Sequence, residues 1–260
     1  MAYDLFHVFK KLGLIPSNII LVGAWEGGEV RGFLDAGVQR VYLFEAEPSA
    51  IGLLRKNYGS ESRVTIFEGA VASESGKVRN FHVLNHGSSS LLTPDLKHLK
   101  KILPDFEIEG EIQVNTITLD SSLRDYWRQW SENKLETLVI LDIQGGELEA
   151  IKGAPELLKK VGWIQSEVST TELYHDQNTL RQLDKYLKGN GFSRVSTRIY
   201  PERNHGDALY FRDGLIAKSF LLSIKIADLH WNLARTRPRW IPSLSQTKIG
   251  RLILKMIYER

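Results

Sequence analysis

The stretch Asn18-Ile-Ile-Leu-Val-Gly-Ala-Trp-Glu-Gly-Gly28 decides the fold class. Its aliphatic run stops at Gly23, glycine returns at Gly27 and Gly28, and a helical pattern follows over 29–36. This order predicts a buried parallel strand, a tight turn and the start of a helix. Glycine in such a turn lets backbone N–H groups and the positive end of the helix approach a ligand closely.

A second apolar run, Val41-Tyr-Leu-Phe-Glu45, ends in an acid. A carboxylate at the tip of the second strand can accept both hydroxyls of a ribose, so the pattern predicts nucleoside binding. The glycine spacing does not fit Gly-x-Gly-x-x-Gly, which argues against NAD. The alternative is that this stretch binds no ligand. Glycine is common after any strand, and Glu45 could be an ordinary surface carboxylate.

Strand and helix patterns alternate along the rest of the chain. We predict further strands at 64–71, 77–84, 111–119, 138–142, 161–168, 192–198 and 208–212, with 64–84 forming a hairpin-like excursion. We predict further helices at 49–57, 121–131, 147–160 and 177–189, with Asp120 capping the second. The alternation indicates an α/β fold with a doubly wound sheet, mostly parallel, whose last strand is antiparallel.

Ligands of such a sheet bind outside the carboxyl ends of its strands. Five residues at predicted strand ends should therefore converge on one edge, namely Gly23, Glu45, Ala70, Asp142 and Glu167.

Composition excludes several classes of site. The 260 residues are 42% hydrophobic and 25% charged, which suits one large domain or a domain with an appendage. There is no cysteine, so disulfides, thiolate metal sites and a cysteine nucleophile are excluded. No apolar run is long enough to span a membrane, and the amphipathic N-terminal segment, 1–17, lacks the features of a signal peptide. We expect a cytoplasmic protein.

The tail, 213–260, carries nine Lys or Arg and three Asp or Glu, which gives it a net charge of +6. Because the net charge of the whole chain is +3, residues 1–212 carry −3. Apolar residues at helical spacing, from Ile249 to Met256, predict a basic amphipathic helix. This helix could lie on an anionic membrane. The alternative is that it docks on its own domain or on the partner of a homo-oligomer. Since basic residues do not surround the predicted site, a nucleic-acid enzyme is disfavoured.

The segment Ile140-Leu-Asp-Ile-Gln-Gly-Gly-Glu-Leu-Glu-Ala-Ile-Lys-Gly-Ala154 follows the pattern Asp-x-(Glu/Gln)-Gly-x-Glu-x-x-x-(Leu/Ile)-x-Gly-Ala. It resembles the FkbM-type S-adenosylmethionine-dependent methyltransferases. Five further segments match that family in order: Val22-Gly-Ala-Trp-Glu-Gly27, Phe44-Glu-Ala-Glu-Pro48, Gly87-Ser-Ser-Ser-Leu91, Val114-Asn-Thr-Ile-Thr-Leu-Asp120 and Gly206-Asp-Ala-Leu-Tyr-Phe211. The chain departs from the family at Trp25, where Asn is usual, and at Ala46, where Pro is usual.

The resemblance implies a Rossmann-like class I methyltransferase domain over 18–212. It implies S-adenosylmethionine as cofactor and methyl transfer to a hydroxyl of a saccharide, glycolipid or other small natural product. The residues expected to bind the cofactor are Gly23, Ala24, Trp25, Gly27, Glu45, Ala46, Gly69, Ala70, Ser89 and Asp142. The loop 85–90 is a candidate lid over it.

An alcohol is a weak nucleophile and needs a base as it attacks, so acids near the strand ends are the catalytic candidates. The leading candidate near the methyl group is Asp142, with Glu147 at the first turn of the following helix. Glu167 could bind an acceptor hydroxyl, and His175, in an acidic neighbourhood, could act as a base. Each residue also has a structural alternative. Asp142 could bind the amides of Gly145–Gly146, and Glu147 could be an acid that the helix dipole favours at a helix N-terminus. Glu167 could be a plain turn residue, and His175 could be a surface residue. None of these residues has metal-ligand spacing, so no metal is proposed.

Two other functional classes stay open. One is a catalytically inactive binding or scaffold protein with this fold, which the substitution at Trp25 favours. The other is a nucleic-acid-binding protein that uses the basic tail.

Overall fold

The computed structural model describes residues 14–200, 203–215, 221, 224 and 225. Its strands, in chain order, are β1 (Asn18–Val22), β2 (Arg40–Glu45), β3 (Val64–Glu68), β4 (Ala70–Val71), β5 (Val78–Leu84), β6 (Ile108–Ile117), β7 (Thr137–Leu141), β8 (Trp163–Ser169), β9 (Phe192–Tyr200) and β10 (His205–Arg212). Its helices are α1 (Val30–Asp35), α2 (Pro48–Tyr58), α3 (Leu96–Ile102), α4 (Leu119–Leu123), α5 (Glu147–Lys152), α6 (Pro155–Leu158) and α7 (Leu180–Gly189).

The main sheet has the order β3-β2-β1-β7-β8-β10-β9. Strand β10 pairs antiparallel with both of its neighbours, and the other pairs of this sheet are parallel. The predicted α/β sheet, mostly parallel with an antiparallel last strand, is confirmed.

Two hydrophobic clusters cover the two faces of this sheet. In β1, Ile19 and Leu21 pack with α1 and α2 on one face, while Ile20 and Val22 pack with α5, α6 and α7 on the other. Strand β1 is therefore buried on both faces, which is why it reads as an unbroken aliphatic run.

The chain reverses its winding direction between β1 and β7, where doubly wound sheets bind ligands. The turn after β1 is closely packed against the end of β7. Gly23 has φ of +83°, and a Cβ there would lie 1.9 Å from the carbonyl oxygen of Asp142. Only glycine fits this turn, because a side chain would both clash and strain the backbone.

The single strand predicted at 64–71 is wrong, because the chain turns at Gly69 with φ of +140°. Strand β3 pairs with β2 in the main sheet, whereas β4 and β5 flank β6 in a separate three-stranded sheet. The hairpin predicted over 64–84 is also wrong, because β5 pairs antiparallel with β6 and not with β3.

The helix predicted at 121–131 is also wrong. Helix α4 ends at Leu123, and its cap is Thr118, whose hydroxyl accepts from the Ser121 N–H. Asp120 instead caps α6, because its carboxylate accepts from the N–H groups of Glu156 at 2.9 Å and Leu157 at 2.8 Å.

The helix predicted at 147–160 is two helices, since Pro155 begins a new one after Gly153. A Cβ at Gly153 would lie 2.3 Å from the carbonyl oxygen of Ala72. The helix predicted from 177 begins at Leu180, behind a capping box formed by Thr179 and Gln182.

Among the described residues no helix is long and apolar enough to cross a membrane. Of the N-terminal segment 1–17, only 14–17 are described. The predicted basic helix at 249–256 lies outside the described residues, as do the membrane contact and the oligomer contact proposed for it.

Candidate active site

A cleft with about 600 Å³ of empty space lies at the carboxyl ends of β1, β2 and β7, with β4 and β5 on its far side. Apolar groups such as Phe44, Val71 and Phe81 form its walls. Among the described residues that line it, the charged groups are the three carboxylates of Glu45, Glu47 and Asp142, and none of these lining residues is Lys or Arg. The cleft therefore suits a ligand with a large apolar part and a positive charge.

Glu45 ends β2 and is 9% exposed, so its interpretation as a surface carboxylate is wrong. Its carboxylate accepts from the N–H groups of Trp25 at 2.7 Å, Ala46 at 2.7 Å and Glu47 at 2.9 Å. Burial raises the pKa of Glu45, and these three N–H donors oppose the rise. A carboxylate has about four acceptor positions, so about one remains for a ligand.

Trp25 stands at the edge of the cleft. Its backbone is left-handed, with φ of +44°, and its side chain is 49% exposed. The indole ring lies against the backbone of the loop 85–90, because a Cβ added to Gly87 would lie 3.1 Å from the ring. The loop is also tied to the cleft by Ser89, whose hydroxyl donates to Glu47 at 3.0 Å and accepts from the Leu84 N–H at 3.0 Å.

The predicted cofactor residues Gly23, Trp25, Glu45, Ala46, Gly69, Ala70, Ser89 and Asp142 all line this cleft. Gly27 lies in the turn behind it, where its carbonyl accepts from the Tyr58 hydroxyl at 2.9 Å. Ala24 is buried beneath the turn, and its N–H donates to the Phe44 carbonyl.

Asp142 and Glu167 lie side by side at the ends of β7 and β8, because Leu141 is in register with Ser166. The two carboxyl groups are hydrogen-bonded to each other. Asp142 faces the open cleft, yet protein packed around its carboxyl removes hydration and raises its pKa. Burial and the charge of Asp142 raise the pKa of Glu167, and Asp207 of β10, which is in register with Glu167, adds to this rise.

Glu147, at the start of α5, is 5% exposed. One of its carboxyl oxygens accepts from the N–H groups of Ile143 and Gly145, both at 3.1 Å. Burial raises the pKa of Glu147 to about 7, and the nearby charge of Asp142 contributes. Of the two amides that we considered as partners of Asp142, that of Gly145 therefore donates to Glu147 instead.

Two residues near Asp142 were missed by the sequence analysis. Gln144 donates from its side-chain amide to Asp142 Oδ1 at 2.7 Å. The Tyr174 hydroxyl lies 3.3 Å from Gln144 Oε1 and 2.9 Å from the Ser88 carbonyl oxygen. Gln144 could have been found from the sequence, because it occupies the Glu/Gln position of the quoted family pattern. Nothing in the local sequence links Tyr174 to Asp142.

The structure does not bring His175 to the acids. Its side chain is exposed, and it is not among the residues that line the cleft. Its backbone N–H donates to the Thr93 carbonyl at 2.8 Å, which ties the segment to the loop before α3. In the ranges that the structure describes, no cluster of three or more His, Cys, Asp or Glu side chains is arranged to hold a metal ion.

The solved structures that are similar to this chain include two methyltransferases. Methyltransferase FkbM from Methylobacillus flagellatus KT is 17% identical, with a TM-score of 0.44; the match covers 75% of this chain and 43% of that one. The 1,6-didemethyltoxoflavin-N1-methyltransferase of Burkholderia thailandensis, solved with bound 1,6-didemethyltoxoflavin and S-adenosylhomocysteine, is 15% identical with a TM-score of 0.41; the match covers 80% of this chain and 75% of that one.

The sequence comparisons agree on one family. The model of the methyltransferase FkbM domain matches residues 22–194. The 2-O-methyltransferase NoeI of Sinorhizobium fredii (strain NBRC 101917 / NGR234) is 31% identical over 205 residues, which cover 75% of this chain and 79% of that protein. This chain belongs to the FkbM family of methyltransferases.

Proposed function

We propose that this methyltransferase uses S-adenosylmethionine and methylates a hydroxyl oxygen. The observation that carries the cofactor assignment is the charge of the cleft, because its lining within the described part of the chain has three carboxylates and neither Lys nor Arg. Dinucleotides and nucleoside phosphates would meet repulsion there, whereas a sulfonium cation is attracted.

The shape of the cleft fits the rest of the cofactor. Glu45 keeps about one free acceptor position, which suits a ribose hydroxyl. Ala46, Gly69 and Ala70 leave room beside it for the flat adenine ring, and the turn at Gly23 would hold the methionine end. When bound, the cofactor supplies an electrophilic methyl group.

The acids at the ends of β7 and β8 would activate the acceptor. Asp142 lines the cleft and is bonded to Glu167, which supports giving this pair the role of accepting the proton that a hydroxyl loses as its oxygen is methylated. Glu147 is buried and already holds two backbone N–H groups, so we give it the role of fixing the turn before α5. His175 is left out of the catalytic set because it lies away from the cleft.

We further propose that the acceptor is a saccharide, a glycolipid or another small natural product with free hydroxyls. The name of the NoeI relative specifies methylation at an oxygen in position 2, which supports an oxygen acceptor. The carboxyl groups of Glu167 and Asp207, in register on neighbouring strands, suit hydrogen bonding to hydroxyl groups.

A transfer assay tests the proposal. The purified protein is incubated with methyl-labelled S-adenosylmethionine and a panel of sugars and lipid-linked glycans. We expect one class of acceptor to gain an alkali-stable methyl ether. We expect Asp142→Asn to lower that transfer by about 10²–10⁴-fold, the usual contribution of a general base. Label found on nitrogen or on carboxyl esters, or an Asp142→Asn variant with full activity, would overturn it.

A further inference from the structure

Gln144 adopts a backbone conformation that residues with side chains seldom take. Its φ is +56°, in the left-handed region. The Ser90 hydroxyl holds this conformation by donating to the Gln144 carbonyl at 2.9 Å, and Gly145 follows with φ of +103°. Strained residues of this kind cluster where a side chain must be aimed, and here the side chain is aimed at Asp142.

The side-chain amide of Gln144 joins two groups of opposite hydrogen-bonding character. Its nitrogen donates to Asp142 Oδ1 at 2.7 Å, a length typical of a bond to a charged carboxylate. Its oxygen lies 3.3 Å from the hydroxyl of Tyr174, which is 1% exposed. The amide oxygen thus faces a hydroxyl group and the amide N–H₂ faces a carboxylate, so each end of the amide meets a group of complementary hydrogen-bonding character.

We propose that Gln144 and Tyr174 form a relay that places the negative charge of the Asp142–Glu167 pair on Asp142. An amide N–H₂ donates and does not accept, so the oxygen that it faces must be an acceptor. A donor held against Asp142 Oδ1 stabilises the ionised form of Asp142. We therefore take Asp142 as the charged member, and Glu167 holds the proton between the two carboxyl groups. The relay rests on the function proposed above, since the charge on Asp142 would face the cationic sulfur of the cofactor.

The surroundings of Asp142 agree with this arrangement. The titratable groups that face it among the described residues are Glu167 from β8, Glu147 from α5 and Tyr174, with Asp207 from β10 acting on Glu167. Burial and these acids raise the pKa of Tyr174, so its hydroxyl stays a donor. The Ser88 carbonyl, at 2.9 Å, shares that donor, and Tyr174 is therefore the weaker part of the relay.

Gln144 and Tyr174 are thus positioning residues, and their effect is measurable without an acceptor. The charge on Asp142 attracts S-adenosylmethionine but not the uncharged sulfur of S-adenosylhomocysteine. The ratio of the two affinities, measured by calorimetry from pH 5 to 8.5, therefore follows the ionisation of the pair and rises with pH. The variant Gln144→Met keeps the length of the side chain and removes its donor.

We expect the pH profile of this ratio to move upward by about one unit in Gln144→Met, the effect of losing one hydrogen bond to a charge. We expect a smaller upward move in Tyr174→Phe. The matched control is Tyr210→Phe, which removes a buried hydroxyl bonded to Asp184, and it should leave the profile unmoved.

A profile that is the same in Gln144→Met and in the unchanged protein would overturn the relay. If Gln144→Met does not fold, Gln144→Asn replaces it, because Asn tolerates the left-handed backbone while its shorter amide falls away from Asp142. If the unchanged protein binds neither compound, the cofactor assignment itself fails. That result is distinct from a failure of the relay, in which both compounds bind.

Discussion

Glu45 has two roles at the residue scale. Its carboxylate fixes three backbone N–H groups around the cleft, and its remaining acceptor position is the one that we assign to a ribose hydroxyl. The local sequence predicted its place at the end of β2. It did not predict that Trp25, twenty residues earlier, would donate to it.

We expect Glu45→Ala to weaken binding of S-adenosylhomocysteine by about 1–3 kcal/mol, the cost of leaving buried donors unpaired. Calorimetric titration measures this. The matched control is Glu68→Ala, since Glu68 ends the neighbouring strand β3, is exposed and lies outside the cleft lining. Equal affinities in the two variants would remove Glu45 from the cofactor site.

Glu147 makes stability depend on pH. Its pKa is raised from 4.5 to about 7, so the folded protein holds a proton that the unfolded chain releases between these values. The resulting stability is fully present below pH 4.5 and is lost as pH rises towards 7, and the loss amounts to about 3 kcal/mol.

Urea unfolding at several pH values tests this sign. We expect Glu147→Gln to lose less stability than the unchanged protein between pH 5 and pH 7.5, because the amide does not titrate. Asp142 and Glu167 act in the same direction and remain in the variant. Parallel curves for the two proteins would show that Glu147 is not the titrating group.

At the scale of the elements, what is local in the sequence was predictable. The strand and turn around Gly23 and the end of β2 were recognised because their patterns lie within a few adjacent residues. The break at Gly69 and the capping of α6 by Asp120 were missed, since each depends on a distant segment. The same reason applies to Tyr174, which reaches Gln144 from thirty residues away.

The turn after β1 gives a test at this scale. We expect Gly23→Ala to destabilise the fold by about 3 kcal/mol or more, because its Cβ would enter the space of the Asp142 carbonyl and its φ is positive. The control is Gly28→Ala, where a Cβ would meet no atom within 4 Å. Thermal unfolding that is alike in both variants would contradict this account of the turn.

The whole molecule places a carboxylate-lined cleft where the winding of its sheet reverses. Hydrophobic clusters cover both faces of the sheet, and the ends of β1, β2, β7 and β8 bring Gly23, Glu45, Asp142 and Glu167 together. The sequence predicted this convergence. It did not predict that the charged side chains in the described lining of the cleft are acidic, because these side chains come from distant segments.

The central claim is that this cleft binds the cofactor through its shape and its negative charge. Calorimetric titration of the full chain with S-adenosylhomocysteine, and separately with NAD, tests it most directly. We expect micromolar binding of S-adenosylhomocysteine and no binding of NAD, whose phosphates would face Glu45, Glu47 and Asp142. Binding of NAD, or no binding of S-adenosylhomocysteine, would contradict the claim.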